Sequence, residues 1–184
     1  MKTHTTRFLF VIAALLCAAN LQAQSSATSF YTNATAGYCR SGKDGEGKSG
    51  FAVGAAIGTI IKEKHYAEIE MLLLKNGMSY PSSKLQQIPI LATYRMDLLS
   101  GNPDADGSTL QLGCSLGMVQ QQITGERHLG TRWLPGGGVH VNVTNSIGKK
   151  TFVNVSLRTI WTPKGNADST IVSAMIMAGI GYHL

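Results

Sequence analysis

A chain of 184 residues with 21 glycines, 5 prolines and a formal net charge of +6 is long enough for one domain with a core of its own. Its charges alternate in sign, as in Lys43, Asp44, Glu46 and Lys48, so it holds no basic stripe and nucleic acid is not an expected partner. Beyond Leu16 no apolar run approaches the roughly 18 residues of a membrane-spanning helix, which excludes helical spans but not membrane strands, whose alternation leaves a weak hydropathy trace.

The N-terminus combines Lys2 and Arg7 with an unbroken apolar run from Phe8 to Leu16 and a small residue at Ala23, the pattern of a secretory signal peptide. Residues 1–23 are therefore expected to be removed by cleavage near Ala23, leaving residues 24–184 as one domain. Losing Lys2 and Arg7 lowers the formal charge from +6 to +4. The cysteines that remain, Cys39 and Cys114, have the chance to pair in an exported protein but do not make a disulfide framework. No C-x-x-C or H-x-x-x-H spacing supports a zinc site, and no cofactor is expected.

The first segment, Phe30 to Cys39, carries Phe30, Ala34, Ala36 and Tyr38 on one face of an extended chain. Next comes GKDGEGKS, which fits the phosphate-loop template through Gly42, Gly47, Lys48 and Ser49. That mechanism needs a buried strand before the loop and a helix after it. The next segment, Phe51 to Ile61, instead alternates Phe51, Val53, Ala55 and Ile57 with Ala52, Gly54, Ala56 and Gly58, a poor helix start and a fair strand. GKDGEGKS thus reads as a surface loop, and no nucleotide is expected.

His65 to Leu74 has helical propensity, yet as a strand it sets Ala67, Ile69, Met71 and Leu73 against Glu68 and Glu70. Residues 85–98 place Ile88, Ile90, Ala92, Tyr94 and Met96 opposite Arg95 and Asp97. Residues 109–120 oppose Leu110, Leu112, Cys114, Leu116 and Met118 to Gln111, Gly113, Ser115 and Gly117. Residues 136–144 oppose Val139, Val141 and Val143 to His140, Asn142 and Thr144, and residues 151–161 oppose Val153, Val155, Leu157 and Trp161 to Asn154, Ser156 and Arg158. The last segment, residues 170–184, runs Val172, Ala174, Ile176, Ala178, Ile180, Tyr182 and Leu184 along one face. Separators rich in Gly, Pro, Asn, Asp and Ser lie between all of these.

Eight such strands make an all-β chain, and an even number of antiparallel strands can close into an up-and-down transmembrane β-barrel with no free edge. The apolar faces then meet lipid and the polar faces fill the interior. Glu68, Glu70, Arg95, Asp97 and Arg158 become a lumenal charge network, since an arginine facing lipid at mid-depth costs about 2–4 kcal/mol. Glu68 and Glu70 also fit the acid and base of a glycosidase, but arginines on the facing polar surfaces account for them without a substrate. His140 and His183 read as interior polar residues, with His65 near a turn and His128 in a loop.

In these strands the chain resembles the outer-membrane β-barrel family typified by the small eight-stranded barrel of outer membrane protein A. The resemblance is strongest in the final AGIGYHL, where Gly179, Tyr182 and Leu184 occupy the places of the family's C-terminal assembly signal, although Ala178 stands where a polar residue is usual and Leu184 where phenylalanine is. In PILATYRMDL, Ile90, Tyr94 and Arg95 match the family's central strand. The resemblance implies a bacterial outer-membrane location with both termini in the periplasm. Outer connections then fall at residues 40–50, 75–85, 120–135 and 162–169. It implies outer-membrane lipid and the barrel assembly machinery as partners, a monomer, and a non-enzymatic role in envelope structure or surface interaction through the outer loops, the surface partner itself being unspecified. Three alternatives stand beside it: a lipid-modifying barrel enzyme, for which the H-x-S spacing of the lipid A deacylases is missing because His140 is followed by Asn142; a narrow pore; and a soluble barrel binding a small ligand in an apolar interior.

Overall fold

The computed structural model describes residues 29–42, 49–62, 64–77, 84–100, 108–124, 131–163 and 170–184. The signal peptide, the central residues of GKDGEGKS including Lys48, and His128 lie outside them. The described residues form eight strands in chain order: β1 (Ser29–Gly42), β2 (Ser49–Ile61), β3 (His65–Gly77), β4 (Lys84–Ser100), β5 (Ser108–Thr124), β6 (Thr131–Ser146), β7 (Thr151–Pro163) and β8 (Thr170–His183). Each pairs antiparallel with the next, and β1 closes on β8 through registers such as Ala36 opposite Ala178. Closure gives every strand two neighbours and removes the open edge that lipid forbids. Ser49, the last residue of the phosphate-loop match, opens strand β2, so the loop leads into a strand and not a helix.

Alternation of burial runs along all eight strands. In β7, Phe152, Asn154, Ser156, Arg158 and Ile160 are buried while Val155, Leu157 and Trp161 are exposed. Buried here means facing the lumen, because the wall is one sheet thick. The continuous apolar faces therefore point outward, not inward as a soluble barrel with an apolar ligand cavity would need.

The strands are 13 to 17 residues long, and all but β8 exceed the segments marked by periodicity alone. The largest difference is in β6, which begins at Thr131, whereas TRWLP reads as the end of the outer connection at residues 120–135 and the strand as starting at Gly136. Among the described residues, 131–136 of β6 pair with β5 alone, the pairing with β7 starting at Gly137 opposite Trp161. Pro135 thus sits in a locally edge-like stretch, where a missing N–H is tolerated. Pro89 behaves similarly: the β3–β4 register is interrupted between Met71 opposite Ile90 and Leu74 opposite Gln87. Near the other end of β4 the register shifts between Asp97 and Leu99, a bulge next to the connection to β5. Directly after β2, Lys62 takes φ of 51°, in the left-handed region that few non-glycine residues adopt.

Cys39 and Cys114 are both free thiols. Cys39 is fully buried in the lumen on β1 and Cys114 faces outward on β5, so the wall itself separates them and the pairing left open by the sequence does not occur.

Candidate functional site

The end of the barrel that holds Ser29 and His183 is called proximal here and the opposite end distal. The lumen divides along its axis between these ends. In the proximal and middle part, Arg95 on β4 reaches across to β1 and β3. One guanidinium nitrogen donates to Tyr31 Oη at 2.8 Å and to Glu68 Oε2 at 2.9 Å, and the other to Gln111 Oε1 at 3.1 Å. The Tyr31 hydroxyl donates onward to the same Glu68 oxygen at 2.8 Å. Room for this comes from glycine: a methyl group at Gly58 would lie 2.6 Å from the Tyr31 ring and 2.8 Å from Glu68 Cβ. The Arg95 guanidinium also stands over the rings of Tyr31 and Tyr66, 5.8 and 5.4 Å from their centroids.

Glu70, two residues further along β3, has a separate partner. Arg158 of β7 donates through Nη1 to both Glu70 oxygens and through Nε to Ser156 Oγ at 3.1 Å. Glu68 and Glu70 are only 5% and 2% exposed, and each is held by its own arginine, which leaves neither carboxylate a route to a substrate. Pairing inside the wall offsets part of the desolvation cost that any of the four charges would meet alone, although Glu68 Oε1 and Arg95 Nε are buried without a partner. Asp97 sits nearer the proximal mouth, accepting from Gln111 Nε2 at 3.0 Å and from the Tyr66 hydroxyl at 3.4 Å, so it joins the Arg95 group through Gln111. His140, 4% exposed, faces Gly113 and the Arg95 stem, and His183 packs on Phe152 with ring centroids 5.0 Å apart.

Tyr31, Tyr66, Gln111, Phe152 and His183 line a cavity of about 90 Å³ at the proximal mouth, with Arg95 in its wall. Space of that size takes a few waters, well short of the 300 Å³ or so of a small-molecule pocket. Above the ion pairs the character changes. Cys39, Ala52, Leu72, Leu74, Leu91, Val119, Ile160, Met175 and Met177 form one buried apolar cluster inside the barrel. A polar layer covers it distally: Ser41 Oγ donates to Asn76 Oδ1 at 3.2 Å, and Ser173 Oγ to Gln87 Oε1 at 2.8 Å.

The outer surface is the reverse. Val53, Ile57, Ile69, Met71, Ile90, Leu116, Val139, Leu157, Ile176 and Ile180 are exposed over the middle of the wall. Aromatic residues mark both limits of that belt, Tyr38, Phe51, Trp133 and Trp161 distally and Phe30, Tyr94 and Tyr182 proximally. An exposed apolar surface running round the whole molecule has no place in water, and its aromatic margins are those of a bilayer's two interfaces. At the proximal margin the Tyr94 hydroxyl and His65 Nδ1 share a hydrogen bond of 2.6 Å, and Lys150 Nζ stands 5.5 Å from the Tyr182 centroid. Of the three C-terminal positions, Gly179 faces Thr35 and Asn154, Tyr182 faces out, and the Leu184 N–H donates to Phe30 O at 2.9 Å.

The sequence did not single out Tyr31, Tyr66 and Gln111, nor the apolar cluster. The cluster had a visible sign: Leu72, Leu74, Leu91, Met175 and Met177 stand at the same parity as Glu68, Glu70, Arg95 and Ser173 on their strands. The tyrosines had none, since parity says which face a residue takes and not what it reaches across the lumen.

A closed antiparallel barrel with a polar, filled interior and an apolar, aromatic-edged exterior is the small eight-stranded transmembrane barrel of outer membranes. No protein-family model and no curated protein matches the chain. Among solved structures, Neisserial surface protein A is similar at a TM-score of 0.70 and 19% identity, covering 85% of this chain and 99% of that one. Ail, the attachment invasion locus protein of Yersinia pestis, is similar at 0.55 and 10% identity over 85% of this chain and 97% of its own. OprG of Pseudomonas aeruginosa, an outer membrane protein, gives 0.51 and 11% over 89% and 98%. Identities this low show the fold.

Proposed function

We propose that the protein is a non-enzymatic, monomeric barrel of a bacterial outer membrane that serves envelope structure or surface interaction through its distal loops, the proximal end facing the periplasm. The observation that carries this reading is the filled lumen. Two buried ion pairs close its middle and an apolar cluster closes its distal half. The acids hold the arginines, and the cavity at the proximal mouth ends against Arg95. What such a barrel offers its surroundings is then its lipid-facing wall and its loops. Gly179, Tyr182 and Leu184 serve as the signal read by the assembly machinery, the exposed Tyr182 and the terminal leucine being presented on the outer face.

The test is fractionation with a gel assay. The protein is expected in outer membranes, migrating faster when unheated than when boiled, and silent in planar bilayers. Recovery in the soluble periplasmic fraction would overturn the location, and steady single-channel conductance would overturn the closed lumen.

A further inference from the structure

Charge is segregated by the wall. The acidic side chains among the described residues, Glu68, Glu70 and Asp97, all face the lumen, so the described outer wall carries cations and no acidic side chain. At the distal rim the outward cations among the described residues are Arg40 on β1, Lys75 on β3 and Lys84 on β4. Lys75 on β3 and Lys84 on β4 are outward and exposed, and no carboxylate among the described residues pairs with either. Between and beside them the outward positions are carboxamides: Lys75 is directly opposite Gln86, Gln86 opposite Gln122, and Gln120 opposite Trp133, whose indole is 50% exposed. On the other side of the barrel the outward positions at this level are Trp161, Val172 and Ala174, with Arg40 of β1 opposite Ala174 and no carboxamide among them. One quadrant of the distal margin thus combines ammonium groups, amides and an indole ring on a surface that faces lipid.

We infer that this strip on β3 to β6 is a binding surface for a phosphorylated glycolipid of the outer leaflet. It rests on the proposed outer-membrane insertion with the distal end outward. Each part matches a part of such a headgroup. Lys75 and Lys84 complement phosphate, which is short of partners at a lipid surface. Gln86, Gln120 and Gln122 both donate and accept, as sugar hydroxyls require. Trp133 offers a flat apolar face with a polar N–H at the interface depth, where a pyranose ring lies. A glycerophospholipid satisfies the lysines but brings few or no hydroxyls to the amides and no ring face to the indole, which is why a saccharide headgroup is the better fit.

The experiment uses the purified, folded barrel in detergent micelles, titrated with a bisphosphorylated glucosamine-disaccharide lipid, with phosphatidylglycerol, or with phosphatidylcholine. Binding is followed by native mass spectrometry and by Trp133 fluorescence in a Trp161→Phe background. The glycolipid is expected to bind more tightly than phosphatidylglycerol. The double variant Lys75→Gln, Lys84→Gln should weaken it roughly thirtyfold, taking about 1 kcal/mol per surface cation, while Lys149→Gln, Lys150→Gln at the proximal end changes nothing. Trp133→Leu should lower affinity for the glycolipid and leave phosphatidylglycerol unaffected. Equal affinity for both anionic lipids, or unchanged binding by the distal double variant, would overturn the inference. Unheated gel mobility of each variant confirms that a folded barrel is being compared. A folded barrel that fractionates with outer membranes yet shows no glycolipid preference sinks this inference alone, whereas a protein found outside the membrane sinks the reading beneath it.

Discussion

The two halves of the lumen solve the same problem in opposite ways. An eight-stranded barrel has an interior just wide enough for side chains, and that space must be filled without leaving polar groups unpaired. The middle is filled with charge: Glu68, Glu70, Arg95 and Arg158, tied to Tyr31, Gln111 and Ser156. The distal half is filled with leucine, methionine and valine, as an ordinary protein core would be. The apolar half tolerates exchange among residues of similar volume, because packing there has no direction. The charged half tolerates the loss of a whole pair better than the loss of one partner. Both halves close the lumen, but they should fail differently when altered.

Glu70→Ala is the sharpest way to break that contrast. It leaves the Arg158 guanidinium in the wall, with Ser156 Oγ still accepting from Nε and the carboxylate gone. Breaking a buried pair on one side costs about 3–5 kcal/mol, while replacing both partners with apolar residues of similar size is often neutral. Urea unfolding in micelles, followed by gel mobility, should therefore show a large loss for Glu70→Ala and near recovery for Glu70→Met, Arg158→Met. A double variant as unstable as the single one would mean that the pair specifies the fold and does not merely fill it.

In the apolar half the corresponding change is Leu91→Ala. Leu91 is 1% exposed and lies directly opposite Glu70 on β3 and Gly117 on β5, so it marks the boundary between the two halves. Truncation should cost about 2–5 kcal/mol, according to how far the neighbours collapse, and Leu91→Met less than about 1.5 kcal/mol. Adding Leu72→Ala enlarges the gap, and planar bilayers then report whether water and ions pass the distal closure. Continued silence would place the seal in the ion pairs alone.

Smaller again is the effect of filling a space that glycine keeps open. Gly181 on β8 faces the Phe152 ring, and a methyl group there would overlap Cζ and both ring-edge carbons beside it. Gly181→Ala should cost about 1–3 kcal/mol by overpacking, and Phe152→Leu should recover part of that loss in the double variant. Additive losses would show that the ring has room to move toward the proximal cavity it lines.

A period of two encodes some of this design and leaves the rest unwritten. Parity places Glu68, Glu70, Arg95 and Arg158 on one side of the wall with no knowledge of neighbours, and counting the alternating segments gives the number of strands; closure follows from the need to leave no free edge in lipid. Pairing across the lumen is different. Nothing in the order of residues says that Arg95 meets Glu68 and Arg158 meets Glu70, because this depends on shear and on which side chains are long enough to cross. Strand ends were the other weak point. TRWLP, read as part of the outer connection at residues 120–135, is nonetheless strand, and among the described residues its pairing is with β5. The free thiols illustrate both sides: Cys39 and Cys114 have opposite parity relative to the wall, which becomes decisive only once the sheet is known to close.

The slightest change tests the wall's margin against its interior. Lys150 in the β6–β7 turn stands over the outward Tyr182 ring, and its backbone oxygen accepts from the His183 N–H at 2.7 Å, so the side chain is held beside the C-terminal strand by its own backbone. Lys150→Ala removes the cation and keeps the backbone bond. An exposed cation–π contact of this kind is worth about 0.5–1 kcal/mol, much less than either lumenal change, because water and lipid headgroups replace what is lost. If Tyr182 acts chiefly as a membrane anchor, Lys150→Ala and Tyr182→Ala should differ: the first lowers unfolding stability slightly and leaves the yield of membrane-inserted barrel intact, while the second lowers the yield itself. Equal yields for the two would separate Tyr182 from assembly and leave it only the interfacial role that Phe30 and Tyr94 share.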